Sequence, residues 1–260
     1  MPQTSILSIG PTEIISAAFS LPLFSIVVAV IAAGGILLVA SRRRHHDRGP
    51  AQPPEAAARS IRMRYLPEHR TLGIAAIGVC VLFAVENVMR GYVVNLPGLV
   101  SWWRFATPVF CALLAICVVF GLIVARGSAP TEVPVVPAVR RTWTSFSSRS
   151  SVICASLVLL ALLATTVGAG LASSANGEGQ YVWLEIPVPN EADIDPIRLG
   201  FYGWAYGIPV LICLAALASM SWAVLHSNAS RPYIRPETVA AEREARREVA
   251  SGATRIATAG

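Results

Sequence analysis

"FATPVFCALLAICVVFGLIVA", residues 105 to 125, carries no charged side chain and is bounded by Arg104 on one side and Arg126 on the other. At 1.5 Å per helical residue it measures about 30 Å, the thickness of a bilayer's hydrocarbon core. In lipid every backbone N–H and C=O needs a partner within the segment itself. A helix supplies one and an isolated strand does not. The stretch therefore reads as a transmembrane helix.

Working outward from it, four more segments are apolar enough and long enough to cross: residues 21–40, 71–90, 151–172 and 207–225, charged only at Glu86 and Arg90. Composition agrees, with 54% apolar and only 14% charged residues, where a soluble domain carries about 25% charged. The expected fold is an all-α integral membrane protein with five transmembrane helices. One leading helix is followed by two in–out–in helical hairpins.

Arginine distribution sets the expected orientation. All 21 basic side chains are Arg, which reads as the coding bias of a GC-rich genome. Residues 41–70 hold eight, 126–150 hold four and 226–260 hold six, whereas the segments between hold only Arg90, Arg104 and Arg198. The positive-inside rule then places the N-terminus outside and the C-terminus in the cytoplasm of a cell membrane. Residues 1–20 form the extracytoplasmic N-terminus, 41–70 a basic cytoplasmic loop and 91–104 a short outer loop. Residues 126–150 make a Pro-rich cytoplasmic loop. A net charge of +6 means a basic face set against anionic lipid headgroups, not a nucleic-acid binder. Direct continuation into "SRRRHH" and an Arg-free N-terminal flank make residues 21–40 a retained helix instead of a secretory signal.

Within the basic loop, "GPAQPPE" (49–55) reads as a break, and Pro54 introduces "EAAARSIRMRY", a short basic helix on the membrane surface or a disordered connector. In the tail, 226–260, Glu242 and Arg246 have favourable i, i+4 spacing and Gly252 can stop the helix. With a thin apolar stripe of Val239, Ala245 and Val249, that helix is expected to be solvated. Residues 173–206 form an outer acidic cap loop. "GQYVWLEIPVP" favours one strand or a hairpin there, followed by the acidic run Glu191, Asp193 and Asp195.

Two helix openings, "WRFATPV" (103–109) and "WAYGIPV" (204–210), share the frame W-x4-P-V. They raise the possibility that the two hairpins are a duplicated pair, each with its Pro in the first helical turn. Small residues repeat every four positions at Ala164, Gly168 and Ala172, and again at Gly203 and Gly207. Such faces let helix backbones approach, and they suggest that the fourth and fifth spans pack as a hairpin, in preference to homodimerisation.

Glu86 is the one acidic group inside a span, near its outer end, with Arg90 one turn later at the span's last position. The C-terminal end of a helix dipole is negative, so this carboxylate needs compensation. Arg90, Arg104 and the neighbouring Asn87 form the candidate polar cluster. It is either a pin between two helices or a polar ligand or proton site. No catalytic set is legible: there is no GxSxG, HExxH or P-loop, the four His residues are scattered, and the five Cys show no CxxC or zinc spacing. No metal or cofactor is expected. The favoured function is a non-catalytic membrane subunit or scaffold with protein partners. A small permease or transport component comes next, and then an enzyme acting on lipid-linked substrates.

Overall fold

The computed structural model describes residues 55–88, 102–126, 141–187 and 196–259, apart from the side chains of residues 55–58 and 87. The chain divides into two compact units, residues 1–52 with 80–99 and residues 53–79 with 100–260. Of the first unit only Cys80–Val88 is described, so the expected span at 21–40 and Arg90 lie outside the described residues. The architecture below is that of the second unit.

Five helices are described: α1 (Glu55–Val88), α2 (Thr107–Ala125), α3 (Arg149–Ala172), α4 (Trp204–Ser230) and α5 (Val239–Ala259). Three short strands, β1 (Ser174–Ala175), β2 (Tyr181–Ile186) and β3 (Ile197–Gly200), lie between α3 and α4. Four of the helices are long and apolar enough to cross a membrane: Arg59–Glu86 within α1, and the whole of α2, α3 and α4. The mostly helical fold is that expected of an all-α membrane protein.

The core seam joins α2 to α4. On α2, Val109, Ala112, Ile116, Val119 and Ile123 are buried at alternating spacings of three and four. On α4, Val210, Leu214, Leu217 and Val224 answer them with the same rhythm. This a/d-type pattern keeps one face of each helix against the other over their length. In a bilayer such burial gains little from leaving water, because lipid tails are as apolar as Leu. Close van der Waals packing is what holds the pair.

Helix α3 runs antiparallel to this pair. Ser148 opens it, its Oγ accepting from the Ser151 N–H at 3.1 Å. Only Thr166 and Gly170 are buried along it. A Cβ at Gly170 would stand 2.6 Å from the Trp204 indole, so the close approach of α3 to the start of α4 requires glycine there. Leu157, Leu160 and Leu171 face outward, as residues in contact with lipid would.

The segment expected to hold one strand or a hairpin forms a three-stranded antiparallel sheet, ordered β1-β2-β3. A tight turn at 176–180 joins β1 to β2. Asn176 Oδ1 accepts from the N–H groups of Glu178 and Gln180, and Gly179 supplies the left-handed conformation at φ +76°. Across β2 and β3, Glu185 is in register with Arg198 and receives its Nε–H at 2.9 Å. The acidic run at 191–195 lies outside the described residues.

Two expectations are corrected by this fold. Residues 55–70 of the expected basic loop are not separate from the second span: α1 is one helix of 34 residues that passes through Pro67, and residues 41–54 lie outside the described residues. Proline removes one helical hydrogen bond. Against that loss, Ile61, Tyr65, Glu68 and Leu72 recur at helical spacing and are all buried on one face. The tail helix α5, in turn, is packed and not solvated. Its face of Ala245, Val249, Ala250, Ala253 and Ile256 lies against α2, α3 and α4. Gly252 does not stop it. The helix continues to Ala259, and Leu72 of α1 packs where a Gly252 side chain would stand.

The two W-x4-P-V openings also differ in structure. Trp103 lies in a turn before α2, and its carbonyl accepts from the Ala106 and Thr107 N–H groups, so Pro108 falls in the first turn. Trp204 is itself the first residue of α4, which puts Pro209 inside the helix. Only the buried valines, Val109 and Val210, are alike.

Candidate functional site

Charged groups gather where α2 and α4 end, α1 passes and α5 crosses. Glu68, only 2% exposed, is the centre of one half. Arg126, the residue after α2, donates from Nη1 to Glu68 Oε2 at 2.9 Å and to the Arg64 carbonyl at 2.8 Å. Arg231, the residue after α4, reaches Glu68 Oε1 at 3.4 Å and donates from Nη2 to the Ile123 carbonyl at 3.0 Å. One carboxylate thus gathers two guanidinium groups. The last turn of α2, whose carbonyls lack helical donors, obtains one from Arg231.

Arg246 on α5 is the centre of the other half and is 1% exposed. Its guanidinium donates to the carbonyls of Arg231 at 2.7 Å and Pro232 at 2.9 Å, to the Tyr65 hydroxyl at 3.2 Å, and to Glu242 at 3.2 Å. Glu242 also accepts from the Thr238 hydroxyl at 2.8 Å and the Ile234 N–H at 3.2 Å. Asn228 of α4 donates to the Arg246 carbonyl at 3.0 Å. Buried charges are tolerable when paired and hydrogen-bonded in this way.

Tyr233 extends the Arg246 half through its ring and hydroxyl. The guanidinium carbons of Arg141 and Arg246 lie 4.0 Å and 4.6 Å from its centroid, and Arg243 donates to its hydroxyl at 3.2 Å. Burial lowers the Arg141 pKa, Tyr233 opposes that, and the nearby Arg246 and Arg243 lower it further. The neighbourhood holds more cations than anions: Arg126, Arg141, Arg231 and Arg246 stand against Glu68 and Glu242. A cleft of about 150 Å³ opens beside them, lined by Arg64, Tyr65, Glu68, Arg126 and Arg231.

At the other end of the helices lies an apolar cleft of about 300 Å³, lined by Phe105, Val109, Leu162, Thr166, Tyr202 and Val210 among others. Its polar feature is a 3.4 Å approach of the Thr166 and Tyr202 hydroxyls. The Phe105 ring meets those of Tyr202 and Tyr206 edge-on.

The residues singled out from sequence are placed as follows. Glu86 is half-buried in the last turn of α1. The Asn87 side chain and Arg90 lie outside the described residues. Arg104 is exposed, its guanidinium 5.3 Å from the Phe105 ring centroid. Ala164, Gly168 and Ala172 lie on the exposed side of α3, with open space where a Gly168 side chain would stand. The hairpin contact runs instead along Thr166 and Gly170. These are two positions out of phase, and at 100° per residue that is nearly the opposite face. Gly203 and Gly207 do lie at the contact. A Cβ on Gly203 would collide with the Tyr181 carbonyl, and one on Gly207 would stand 3.1 Å from Thr166 Cγ2.

Sequence reasoning missed Glu68, Arg126, Arg231 and Tyr233. One signal was available: Glu68 occupies the buried position of the stripe Ile61, Tyr65, Glu68, Leu72, where a carboxylate demands a partner. Compared with family models, curated proteins and solved structures, the chain matches none. Its functional reading therefore rests on its own residues.

Proposed function

We propose that this chain is a non-catalytic membrane subunit or scaffold, with its arginine-rich end in the cytoplasm and against anionic lipid. The observation that carries the reading is the filled interior of the second unit, among the described residues. Ala112, Ile116, Val119 and Val224 are sealed completely, and the buried charges satisfy one another at one end. A permease needs polar groups along a route, and the α2–α4 seam is packed with apolar side chains where such a route would pass. A scaffold needs a rigid body with free surface. The α2–α4 seam and the locked α5 supply the first, and the outward apolar face of α3 supplies the second.

The test is affinity purification of the full chain from native membranes in mild detergent, with co-purifying proteins identified by mass spectrometry. A stoichiometric partner that survives washing supports the subunit reading. A chain that purifies alone and moves a solute across liposomes overturns it in favour of the permease.

A second reading, an enzyme or carrier for a lipid-linked substrate, draws on the apolar cleft beside Thr166 and Tyr202. Its test is whether Tyr202→Phe abolishes a lipid modification in cells.

A further inference from the structure

We propose that the cleft formed by Arg64, Arg126 and Arg231 binds the phosphate of an anionic lipid headgroup. The inference rests on the arginine-rich end lying at a membrane surface, and does not depend on the subunit role.

Charge is the first argument. Three guanidinium groups line a cleft of about 150 Å³ with one carboxylate, Glu68, among them. Glu68 is already shared by Arg126 and Arg231. The Arg64 guanidinium has no acceptor among the described residues; that residue's own bond is made by its carbonyl. Each guanidinium carries five N–H donors. Arg126 uses only Nη1, and Arg231 one bond each from Nη1 and Nη2. Donors therefore remain for an oxyanion, and guanidinium matches phosphate oxygens in geometry as well as charge.

Preorganisation is the second. Glu68 and the Ile123 carbonyl hold Arg231, while Glu68 and the Arg64 carbonyl hold Arg126. A ligand entering the cleft does not have to order those two side chains, which removes part of the cost of binding.

Depth is the third, and it selects a lipid over a soluble anion. Arg126 directly follows the apolar helix Thr107–Ala125, and Arg231 directly follows Trp204–Ser230. Both cations thus stand one residue beyond a membrane-length helix, where the hydrocarbon ends and the phosphate layer begins.

The experiment uses the full chain in detergent, incubated with equal amounts of phosphatidylglycerol and phosphatidylcholine, with bound lipid read by native mass spectrometry. The wild type is expected to retain phosphatidylglycerol preferentially. Arg64→Ala should retain about five-fold less of it, one surface cation's worth, at an unchanged unfolding temperature. Arg247→Ala, on the exposed side of α5, should retain it in full. If Arg64→Ala unfolds early, Arg64→Gln is read in its place. Equal retention of the two lipids by the wild type overturns the proposal by removing the membrane-surface placement. A preference unchanged in Arg64→Ala and Arg64→Gln overturns the site alone. Inorganic phosphate that raises the unfolding temperature as much as the lipid does overturns the lipid in favour of a soluble anion.

Discussion

The Glu242 carboxylate and the Arg246 guanidinium meet at 3.2 Å, one turn apart on α5, and both side chains are almost completely sealed from solvent. An exposed i, i+4 pair contributes about 0.3–0.5 kcal/mol. A buried one behaves differently, because removing one partner strands the other charge in a poorly solvated site. Arg246 also serves the carbonyls of Arg231 and Pro232, so its loss takes away the Pro232 carbonyl's donor and leaves the Arg231 carbonyl with Arg141.

Arg246→Ala is therefore expected to destabilise the protein by about 3–5 kcal/mol, read as a large drop in unfolding temperature in detergent. Arg247→Ala, whose partner Glu244 is as exposed as Arg247 itself, should change stability by no more than about 0.5 kcal/mol. Equal effects of the two substitutions would remove the distinction between the faces of α5.

The i, i+4 spacing of that pair was legible in the sequence; its burial was not. Spacing is a local property, whereas burial depends on what the chain brings opposite. Here that is Tyr65, 181 residues earlier. The same holds for Glu68. Read locally it belongs to an arginine-rich loop, and only the continuation of α1 through Pro67 puts it on the face shared by Tyr65 and Leu72. The apolar spans at Phe105–Ala125 and beyond were legible because lipid imposes its demand on every residue of a crossing, without reference to any neighbour. Small-residue repeats were read with the right period on α3 but the wrong phase, since Thr166, a larger residue, lies on the contact face.

That phase gives a second prediction. Gly170→Ala places a methyl group 2.6 Å from the rigid Trp204 ring and should cost about 1–3 kcal/mol by overpacking. Gly168→Ala, two residues away on the same helix, meets open space and should not destabilise the monomer. Thermal unfolding of the two variants compares them directly. A costly Gly168→Ala with a neutral Gly170→Ala would mean that α3 is rotated by about half a turn.

A third prediction concerns the tail. A solvated helix bearing Arg243, Arg246, Arg247 and Arg255 would be cut rapidly by trypsin. In the packed tail, Ala250 and Ala253 are wholly buried, and cleavage needs local unfolding of a segment tied to α2, α3 and α4. Limited proteolysis in detergent should leave the tail intact until conditions approach global unfolding. Arg246→Ala should make it the first region cut. Early loss of the tail from the wild type, seen as a shortened mass, would contradict the packing of α5.

The fourth prediction concerns sidedness and starts from one contact. Arg246 of the tail and Arg141 of the 126–150 segment both donate to the Arg231 carbonyl, at 2.7 Å and 2.8 Å, so the tail and that segment occupy the same end. They cannot lie on opposite sides of a membrane. With the 41–70 segment they carry 18 of the 21 arginines, and the orientation proposed above, which follows the positive-inside rule, predicts that they face the cytoplasm. A reporter active only in the cytoplasm, fused after Gly260, should be active. One inserted in the 188–195 segment, between β2 and β3 on the far side of α4, should be silent. Both active would mean that α4 does not cross. An inverted pair of readouts would carry Arg126, Arg231 and the cleft between them to the outer face, where the anionic cytoplasmic leaflet could not supply their ligand.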